Sequence, residues 1–287
     1  MALPIQQARA DYISSTLGTA GPSDFAVLTL GATDVALNGP GTTMGNVGIS
    51  DAGNLQLNAS NNAPVSNTAI VENLYLGNSA TVNNTSQVSG SIFTNQNSLL
   101  NAAVSTAISA ASTFGSLTAT SGTPTSVTGN TTINGGPGVT VVDLSTINLG
   151  NGQTLTLNGP AGSQFVINSP SMTLHSSLIN LAGGVTANDV VFNLTGTGNN
   201  LQTSGGLNNE SVINGIVLDA HGGVGMVPGE INGELIAGPA GQSVHIVSGG
   251  NVNGVTQTPE PGTISLLACG LLGLLIVGGH RKRMLIS

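Results

Sequence analysis

A three-residue motif recurs along this chain: an apolar residue, then Asn or Ser, then Gly, followed by a short aliphatic run. One copy begins at Val88, and the last three begin at Ile213, Ile231 and Val252, which are 18 and 21 residues apart. Asn and Gly tolerate the left-handed backbone conformations that tight corners need. A corner that returns at this spacing is typical of a solenoid whose coils have three short faces.

Short apolar runs surround these corners. They are three to seven residues long, several alternate with period two, and Gly, Asn, Pro and Ser separate them. They extend from Phe25 to Val88 and resume from about residue 130 to 255. Asn-Gly also forms the hairpin turns of an antiparallel sandwich, so a sandwich is the alternative fold. The recurrence of the motif favours a parallel β-helix.

Only one segment, about residues 97–114, has a clear helical period. Asn97 and Ser98 can cap its start, and Gly115 marks its end. Because the opposite face is Ser, Thr and Asn without ion pairs, the isolated helix would be weak. We therefore expect it to dock along the β body, with a partner-binding helix as the alternative. The apolar positions at helical spacing are Leu100, Ala103, Val104, Ala107, Ile108, Ala111 and Phe114.

The end of the chain has a different composition. Residues 262–279 carry no charge, and Arg281, Lys282 and Arg283 follow almost at once. At about 1.5 Å per residue a helix of this length spans roughly 27 Å, enough for the hydrocarbon core of a bilayer. The basic cluster predicts a cytoplasmic end, with the rest of the chain across the membrane. A buried core helix is the alternative, and three consecutive cations beside a chain end argue against it.

Charge is distributed unevenly. The chain has twelve carboxylates and four cations, and no Lys or Arg stands between Asp11 and His280. Such a body repels phosphate backbones, which excludes direct nucleic-acid binding, whereas neutral glycans and divalent cations remain suitable ligands. The single Cys269 lies in the apolar tail, so no disulfide is expected in the body.

The N-terminus carries the pattern Ala8-Arg9-Ala10 just before Asp11, which matches the A-x-A rule for a signal-peptide cleavage site. We expect residues 1–22 to be the remnant of a signal peptide and a lead-in, with its charged and apolar regions upstream of Met1. Chance is the alternative, because Ala is common.

One cluster resembles a metal site. Asp219 and His221 are separated by one residue, and Glu230 and Glu234 follow. A metal needs three or four converging ligands, and Asp-x-His after a strand is more typical of a polar turn. We therefore assign no metal ligand and no cofactor.

No catalytic residue is assigned either. The chain has no G-x-S-x-G nucleophile elbow and no phosphate-binding loop, since its first Lys is Lys282. Asp51, Asp143 and Asp189 could act as a glycosidase pair only if adjacent coils brought two of them together.

The tail resembles the PEP-CTERM sorting signal of Gram-negative bacteria, because Pro259, Glu260 and Pro261 precede the apolar run and the basic cluster. The resemblance implies that Pro259–Pro261 are recognised by an exosortase-type processing enzyme and that Arg281–Arg283 orient the tail in the membrane. It also implies a destination in the envelope or outside the cell, with exopolysaccharide as a neighbour.

The body resembles two related families. Residues 23–29 are similar to the opening strand of the ice-binding-protein-like β-helix fold, and residues 191–194, 213–220 and 231–238 are similar to the choice-of-anchor A domain. The resemblance implies a right-handed, discontinuous parallel β-helix with one flanking helix, in an exported protein that is not an enzyme.

These observations predict an all-β protein: a parallel β-helix solenoid with one flanking α-helix and a C-terminal transmembrane helix. The favoured function is a structural or adhesive one at the cell surface or in the extracellular matrix. The alternative is an ice- or polysaccharide-binding module on a flat face, which an outward Thr or Asn ladder over three or more coils would favour. Thr154 and Thr156 form one such pair, but residues 164–167 and 190–194 do not repeat it. A carbohydrate-active enzyme is the third candidate.

The predicted regions are a lead-in at 1–22, the β-helical domain at 23–255, a linker with the sorting signal at 256–262, the transmembrane helix at 263–280 and a basic tail at 281–287.

Overall fold

The computed structural model describes residues 11–21, 24–37, 45–57, 71–206 and 209–254. The chain divides into two units, Met1–Val255 and Thr256–Ser287, and every described residue belongs to the first. The predicted sorting signal, transmembrane helix and basic tail lie outside the described residues, as does Ala8-Arg9-Ala10. Over the described ranges, no helix is both long enough and apolar enough to cross a membrane.

The elements form two β blocks with a long helix between them. The N-terminal block follows a short helix, α1 (Tyr12–Leu17), and comprises β1 (Val27–Thr29), β2 (Asp34–Leu37), β3 (Val47–Ile49), β4 (Asn54–Leu57), β5 (Leu74–Leu76), β6 (Thr81–Val82) and β7 (Ile92–Phe93). The long helix is α2 (Asn97–Gly115). The C-terminal block comprises β8 (Thr131–Asn134), β9 (Gly138–Asp143), β10 (Ile147–Leu149), β11 (Thr154–Gly159), β12 (Ser163–Ser169), β13 (Met172–His175), β14 (Leu178–Gly183), β15 (Val190–Leu194), β16 (Asn199–Ser204), β17 (Ser211–Asp219), β18 (Gly223–Val227), β19 (Gly229–Ala237), β20 (Ser243–Ile246) and β21 (Asn251–Asn253). Three 3₁₀ turns, Gly18–Ala20, Thr85–Gln87 and Ala187–Asp189, complete the described elements.

The strands form the three faces of a parallel β-helix. The first face contains β9, β12, β15, the second half of β17, the second half of β19, and then β1, β3, β5 and β7. The second face contains β8, β11, β14, the first halves of β17 and β19, and β21. The third face contains β10, β13, β16, β18, β20, β2, β4 and β6. All of these pairings are parallel, which excludes the antiparallel sandwich.

The two blocks join into one discontinuous solenoid. Val27 of β1 pairs with Leu235 of β19, and Val35 of β2 pairs with Val244 of β20. The chain therefore enters the solenoid in its middle and runs to one end. Helix α2 then returns along the first face, and the coils from β8 to β20 build back to meet β1.

Asn-Gly corners shape the C-terminal block, as the recurring motif predicted. β17 and β19 are each nine residues long, because they turn from the second face to the first without a loop. Gly215 and Gly233 make that turn at φ +147 and +156, a region that side-chain-bearing residues rarely adopt. A Cβ on Gly233 would collide with the carbonyl oxygen of Gly215 on the coil below.

The apolar residues form two clusters. One fills the solenoid with aliphatic side chains from all three faces, and the other lies between the first face and the helices. Fully burying a Leu or Val side chain contributes about 1.5–3 kcal/mol, so these rows supply much of the stability.

Helix α2 docks as expected from its period, with one shift of its buried stripe. Ile108, which the periodicity placed in the stripe, is 47% exposed, and Ala110 is buried instead. Alanines at the contact let the helix axis lie close to the sheet. The buried positions are Leu100, Ala103, Ala107, Ala110, Ala111 and Phe114.

Helix α1 is an element that the sequence did not predict. Asp11 starts it by accepting the backbone N–H groups of Ile13 and Ser14. Its buried residues, Ile13 and Leu17, pack in the same cluster as α2. The segment between residues 11 and 20 is therefore part of the folded body.

Candidate binding face of the solenoid

The first face is covered by the helices. Two buried asparagines fasten α2 to it: Asn168 Nδ2 donates to the carbonyl of Phe114, and Asn193 Nδ2 donates to the carbonyl of Ala111, both at 3.1 Å. Both carbonyls lie near the C-terminal end of α2, and that of Phe114 is one of the last four, which have no i+4 partner within the helix. Binding to a large ligand therefore falls to the second and third faces.

The second face presents an outward row of Thr and Asn. Thr132 and Thr156 are register partners, as are Asn214, Asn232 and Asn253 in successive coils. Thr156 is paired with Asn180, and the Leu178–Val212 pair brings Asn180 to the level of Asn214. The row thus extends over six coils. We call the outward side chains of this face the Thr/Asn face: Thr132, Asn134, Thr154, Thr156, Asn158, Leu178, Asn180, Ala182, Val212, Asn214, Glu230, Asn232 and Asn253.

Hydrogen bonds between coils hold the amides of the Thr/Asn face in place. Asn253 donates to Asn232 at 2.9 Å, and Asn232 donates to Asn214 at 3.1 Å. In a parallel row, Asn158 donates to Asn134 at 2.8 Å. In these two rows, the rotamer of each amide is fixed by its neighbour on the next coil.

The Thr/Asn face carries little charge. The residues that alternate with its rows, such as Leu155 and Leu157, point into the solenoid and are fully buried. Its one ionisable member is Glu230, the register partner of Val212, whose Oε1 accepts a hydrogen bond from Asn253 at 2.8 Å.

The third face is longer but less regular. Its central outward row differs in side-chain size from coil to coil, and the register shifts between Asn199 and Leu201. It also carries the ionisable residues Asp34, His175 and His245. The row comprises Asn148, Thr173, Gln202, Gly225, His245, Ala36 and Gln56.

The structure places the candidate metal residues apart. Glu230 is on the second face, Glu234 is buried on the side of the first face that the helices cover, and Asp219 lies at the corner that leads to the third face. Within the described ranges, no three His, Cys, Asp or Glu residues are grouped so that they could hold a metal ion.

Asp219 instead forms a polar turn. Its Oδ1 accepts the backbone N–H of Gly222 at 2.7 Å and of His221 at 3.3 Å, and the Nδ2 of Asn200 at 2.9 Å. Its Oδ2 is buried without a hydrogen-bond partner in the described part of the chain. Burial raises the pKa of Asp219 from 3.8 to about 6, although these three hydrogen bonds act in the opposite direction.

The three carboxylates considered for glycoside chemistry are not brought together. Asp143 accepts from Asn168 on the first face, and Asp189 accepts from Thr186 in its own turn. Asp51 is near the opposite end of the solenoid, where the backbone N–H of Ser79 and the side chain of Asn97 lower its pKa. Each carboxylate stabilises a different turn or coil.

The sequence had given only the Thr154–Thr156 pair of the Thr/Asn face. Residues 164–167 and 190–194, with which that pair was compared, belong to the first face and are not its neighbours. The true neighbours stand one coil away, and a coil here is 24 residues long, as the Asn158–Asn134 bond shows. A search at that period would have found Thr132 and Asn180.

Neither a known protein family nor any curated protein matches the sequence. Solved structures do match. One is a glycosylated ice-binding protein (LeIBP) from an Arctic yeast, with 17% identity over 85% of this chain and 95% of that one, and a TM-score of 0.53. Another is an ice-binding protein from an Antarctic bacterium of the Flavobacteriaceae, with 18% identity over 85% of this chain and 49% of that one, and a TM-score of 0.52. The body of this chain therefore has the parallel β-helical fold of these ice-binding proteins.

Proposed function

We propose that this protein is an exported, non-enzymatic ice-binding protein whose Thr/Asn face contacts the ice surface. The observation that carries the proposal is the row from Thr132 to Asn253, which spans six coils. The sequence-based criterion asked for three. The fold shared with LeIBP and with the Flavobacteriaceae protein supports the same function.

The physical argument rests on periodicity. Neighbouring strands repeat about every 4.8 Å, so hydroxyl and amide groups recur along the solenoid on a rigid backbone ladder. An ice surface is an extended periodic array of water molecules, which a soft or curved protein surface cannot match over many contacts. Because the amides are already fixed by their neighbours, little conformational entropy is lost on binding.

Apolar groups complete the face. Leu178, Val212 and Ala182 lie among the hydroxyls and amides and give close contact without competing hydrogen bonds. Many weak dispersion contacts add up only when two surfaces are flat over a large area. Charged groups would instead hold water tightly in their own geometry, and the one carboxylate of this face, Glu230, is held by a hydrogen bond from Asn253.

The test compares two pairs of lysine substitutions in the full chain. Thr156→Lys with Asn180→Lys places two long, strongly hydrated cations in the Thr/Asn face, and Thr173→Lys with Gln202→Lys places two in the third face. We expect thermal hysteresis and inhibition of ice recrystallisation to fall about tenfold or more in the first variant only, by analogy with charges placed in a binding interface. Unchanged melting temperatures show that both variants fold. Loss of activity in the third-face variant alone would contradict the assignment.

We propose further that the tail delivers this body to the envelope or the extracellular matrix. Support comes from the order of Pro259-Glu260-Pro261, the apolar run and Arg281–Arg283, which suits an exosortase-type enzyme and a membrane. In a host with an exosortase, alanine at all three sorting positions should keep the chain full length in the membrane fraction. A wild-type chain that keeps its tail there would refute processing.

A neutral polysaccharide of the matrix is the alternative ligand of the Thr/Asn face, and the same lysine pairs test it in a binding assay.

A further inference from the structure

Glu234 is a buried carboxyl group that the proposed function does not use. It stands directly after the corner residue Gly233, on the side of β19 that faces away from the solenoid interior, beside Ile216 of β17. The residue is fully buried, and neither carboxyl oxygen has a hydrogen-bond partner within the described ranges.

Among the described residues, the charged groups around Glu234 are acidic. Asp24 lies on the segment that leads into β1, Asp189 is in the 3₁₀ turn that packs on β19, and Asp219 ends β17. No Lys or Arg exists anywhere between Asp11 and His280, and His221 is turned to solvent beyond Asp219. Glu234 therefore has no cation available among the packed elements.

A buried carboxylate without donors or a cation is costly, so Glu234 is protonated in the closed solenoid. Burial is the main cause that raises the pKa of Glu234 well above its usual 4.5, and the negative charge of Asp24 adds to it.

The position of Glu234 is the seam between the two β blocks. The next residue, Leu235, donates its N–H to the carbonyl of Ala26 at 2.8 Å and is the register partner of Val27. Asp24, two residues before Ala26, is the carboxylate whose negative charge raises the pKa of Glu234. The group is thus located where the first strand of the N-terminal block meets the last long strand of the C-terminal block.

We propose that Glu234 is a proton-controlled latch of this seam. While Glu234 carries its proton, β1 stays paired with β19. Loss of that proton to solvent leaves an unpaired charge beside Asp24, which only water can stabilise, and water reaches it when the segment from Asp24 to Thr29 lifts away. The pairing of β1 with β19 is then lost, and β2 and β20 alone pair the N-terminal block with the C-terminal block.

The sign follows from linkage. A carboxyl whose pKa is raised by folding contributes its full stability below the ordinary value of 4.5 and loses it as the pH rises through the folded value. Between those two values, the equilibrium for closing the seam falls about tenfold per pH unit. Asp219 titrates at about 6, so a decline that continues above that pH and is absent in Glu234→Gln belongs to Glu234.

Hydrogen exchange of the full chain tests the latch between about pH 7 and about pH 9, after correction for the intrinsic rates. We expect protection of β1 to fall with pH in the wild type, while that of β12, far from the seam, changes less. In Glu234→Gln the protection of β1 should be independent of pH. Glu234→Ile, which copies Ile216 on the next coil, serves the same purpose if the amide disturbs folding. Asp219→Asn is the matched control and should keep the wild-type slope.

Two results would overturn the proposal. One is protection of β1 in the wild type that follows β12 at every pH, or that has the same slope in Glu234→Gln. The other is recovery of protection at high pH on adding Ca²⁺ alone, because Glu234 would then bind a cation rather than a proton.

Discussion

The two β blocks build the same solenoid with different corners. In the C-terminal block, β17 and β19 turn at a single Asn-Gly step and reach nine residues. In the N-terminal block every strand has two to four residues. Short strands contribute few ladder hydrogen bonds and little buried area per coil. The comparison indicates that the C-terminal block supports itself, whereas the N-terminal block depends on β19 and on α2.

The ends of the solenoid differ in the same sense. At the C-terminal block's outer end, the connector after α2 covers the strand edges, since Thr120 donates to Val141 and Val127 bridges Ile147. At the other end, Ile92 and Phe93 of β7 are 38% and 40% exposed. Stacking of Phe93 on Tyr75, at 4.8 Å between ring centroids, is part of what holds that end together.

The largest effect is expected at a C-terminal corner. Gly233→Ala forces an unfavourable φ and a collision with the backbone of Gly215, and should cost about 3 kcal/mol or more. Urea unfolding of the full chain measures it. Gly198→Ala is the control, because a Cβ there meets open space and its φ is ordinary. Equal stability of the two variants would show that the tight corners do not hold the C-terminal block together.

The next largest effect is the pH dependence of stability caused by two aspartates, one in each block, whose pKa values are shifted in opposite directions. The raised pKa of Asp219, about 6 against 3.8, makes its contribution full below 3.8 and lost as the pH rises through 6, at most about 3 kcal/mol. The pKa of Asp51 is lowered, so its contribution is present above 3.8 and lost as the pH falls through the folded value.

Stability against pH, measured by urea unfolding, should therefore change in opposite directions in the two variants. In the wild type, the free energy of unfolding should decline between about pH 4 and about pH 6, and Asp219→Asn should make this decline smaller. Asp51→Asn should remove the increase in the free energy of unfolding that occurs as the pH rises to about 4. A decline that persists unchanged in Asp219→Asn would assign it to another group.

The smallest effect concerns the helix that both blocks share. Asn193→Ala removes the hydrogen bonds from its Nδ2 to the carbonyl of Ala111 and to Oδ1 of Asn168, and should cost about 2 kcal/mol. Asn148→Ala, on the exposed third face, should cost less than about 0.5 kcal/mol. Thermal melts followed by circular dichroism distinguish them. A neutral Asn193→Ala would mean that apolar packing alone docks α2.

Local chemistry explains which parts of the fold were predictable. The corners at Asn214-Gly215 and Asn232-Gly233 and the helical period of α2 depend on residues close together in the sequence, so they could be predicted, and the structure has them at these positions. The pairing of Val27 with Leu235 could not be predicted, because no short sequence pattern shows which distant strand pairs with β1. Glu234 comes directly after a corner, as Ile216 does, and is buried as Ile216 is. A prediction that charged residues are exposed places Glu234 wrongly.

The candidate face was missed for a related reason. Thr156 and Asn180 are 24 residues apart and become neighbours only through the stacking of two coils. Residues 164–167 and 190–194, with which the Thr154–Thr156 pair was compared, belong to the first face. A coil length of 24 residues gives Thr132, Thr156 and Asn180, but the spacing changes in the following coils, so the sequence alone does not give Asn214 as the next member. The order of coils at the seam is not given by the sequence either, since it depends on contacts between the two ends of the body.

The seam also determines when this chain can finish folding. Thr33 donates a hydrogen bond to the carbonyl of Gln242, 209 residues later. As the chain is made from its N-terminus, β1 and β2 appear first and can pair with β3 and β4, but their other edges stay open until β19 and β20 follow. Contacts this far apart in sequence form slowly, since a long loop must close before they stabilise anything. The first strands to be synthesised thus gain their second partners last, and completion of the solenoid waits for almost the whole body.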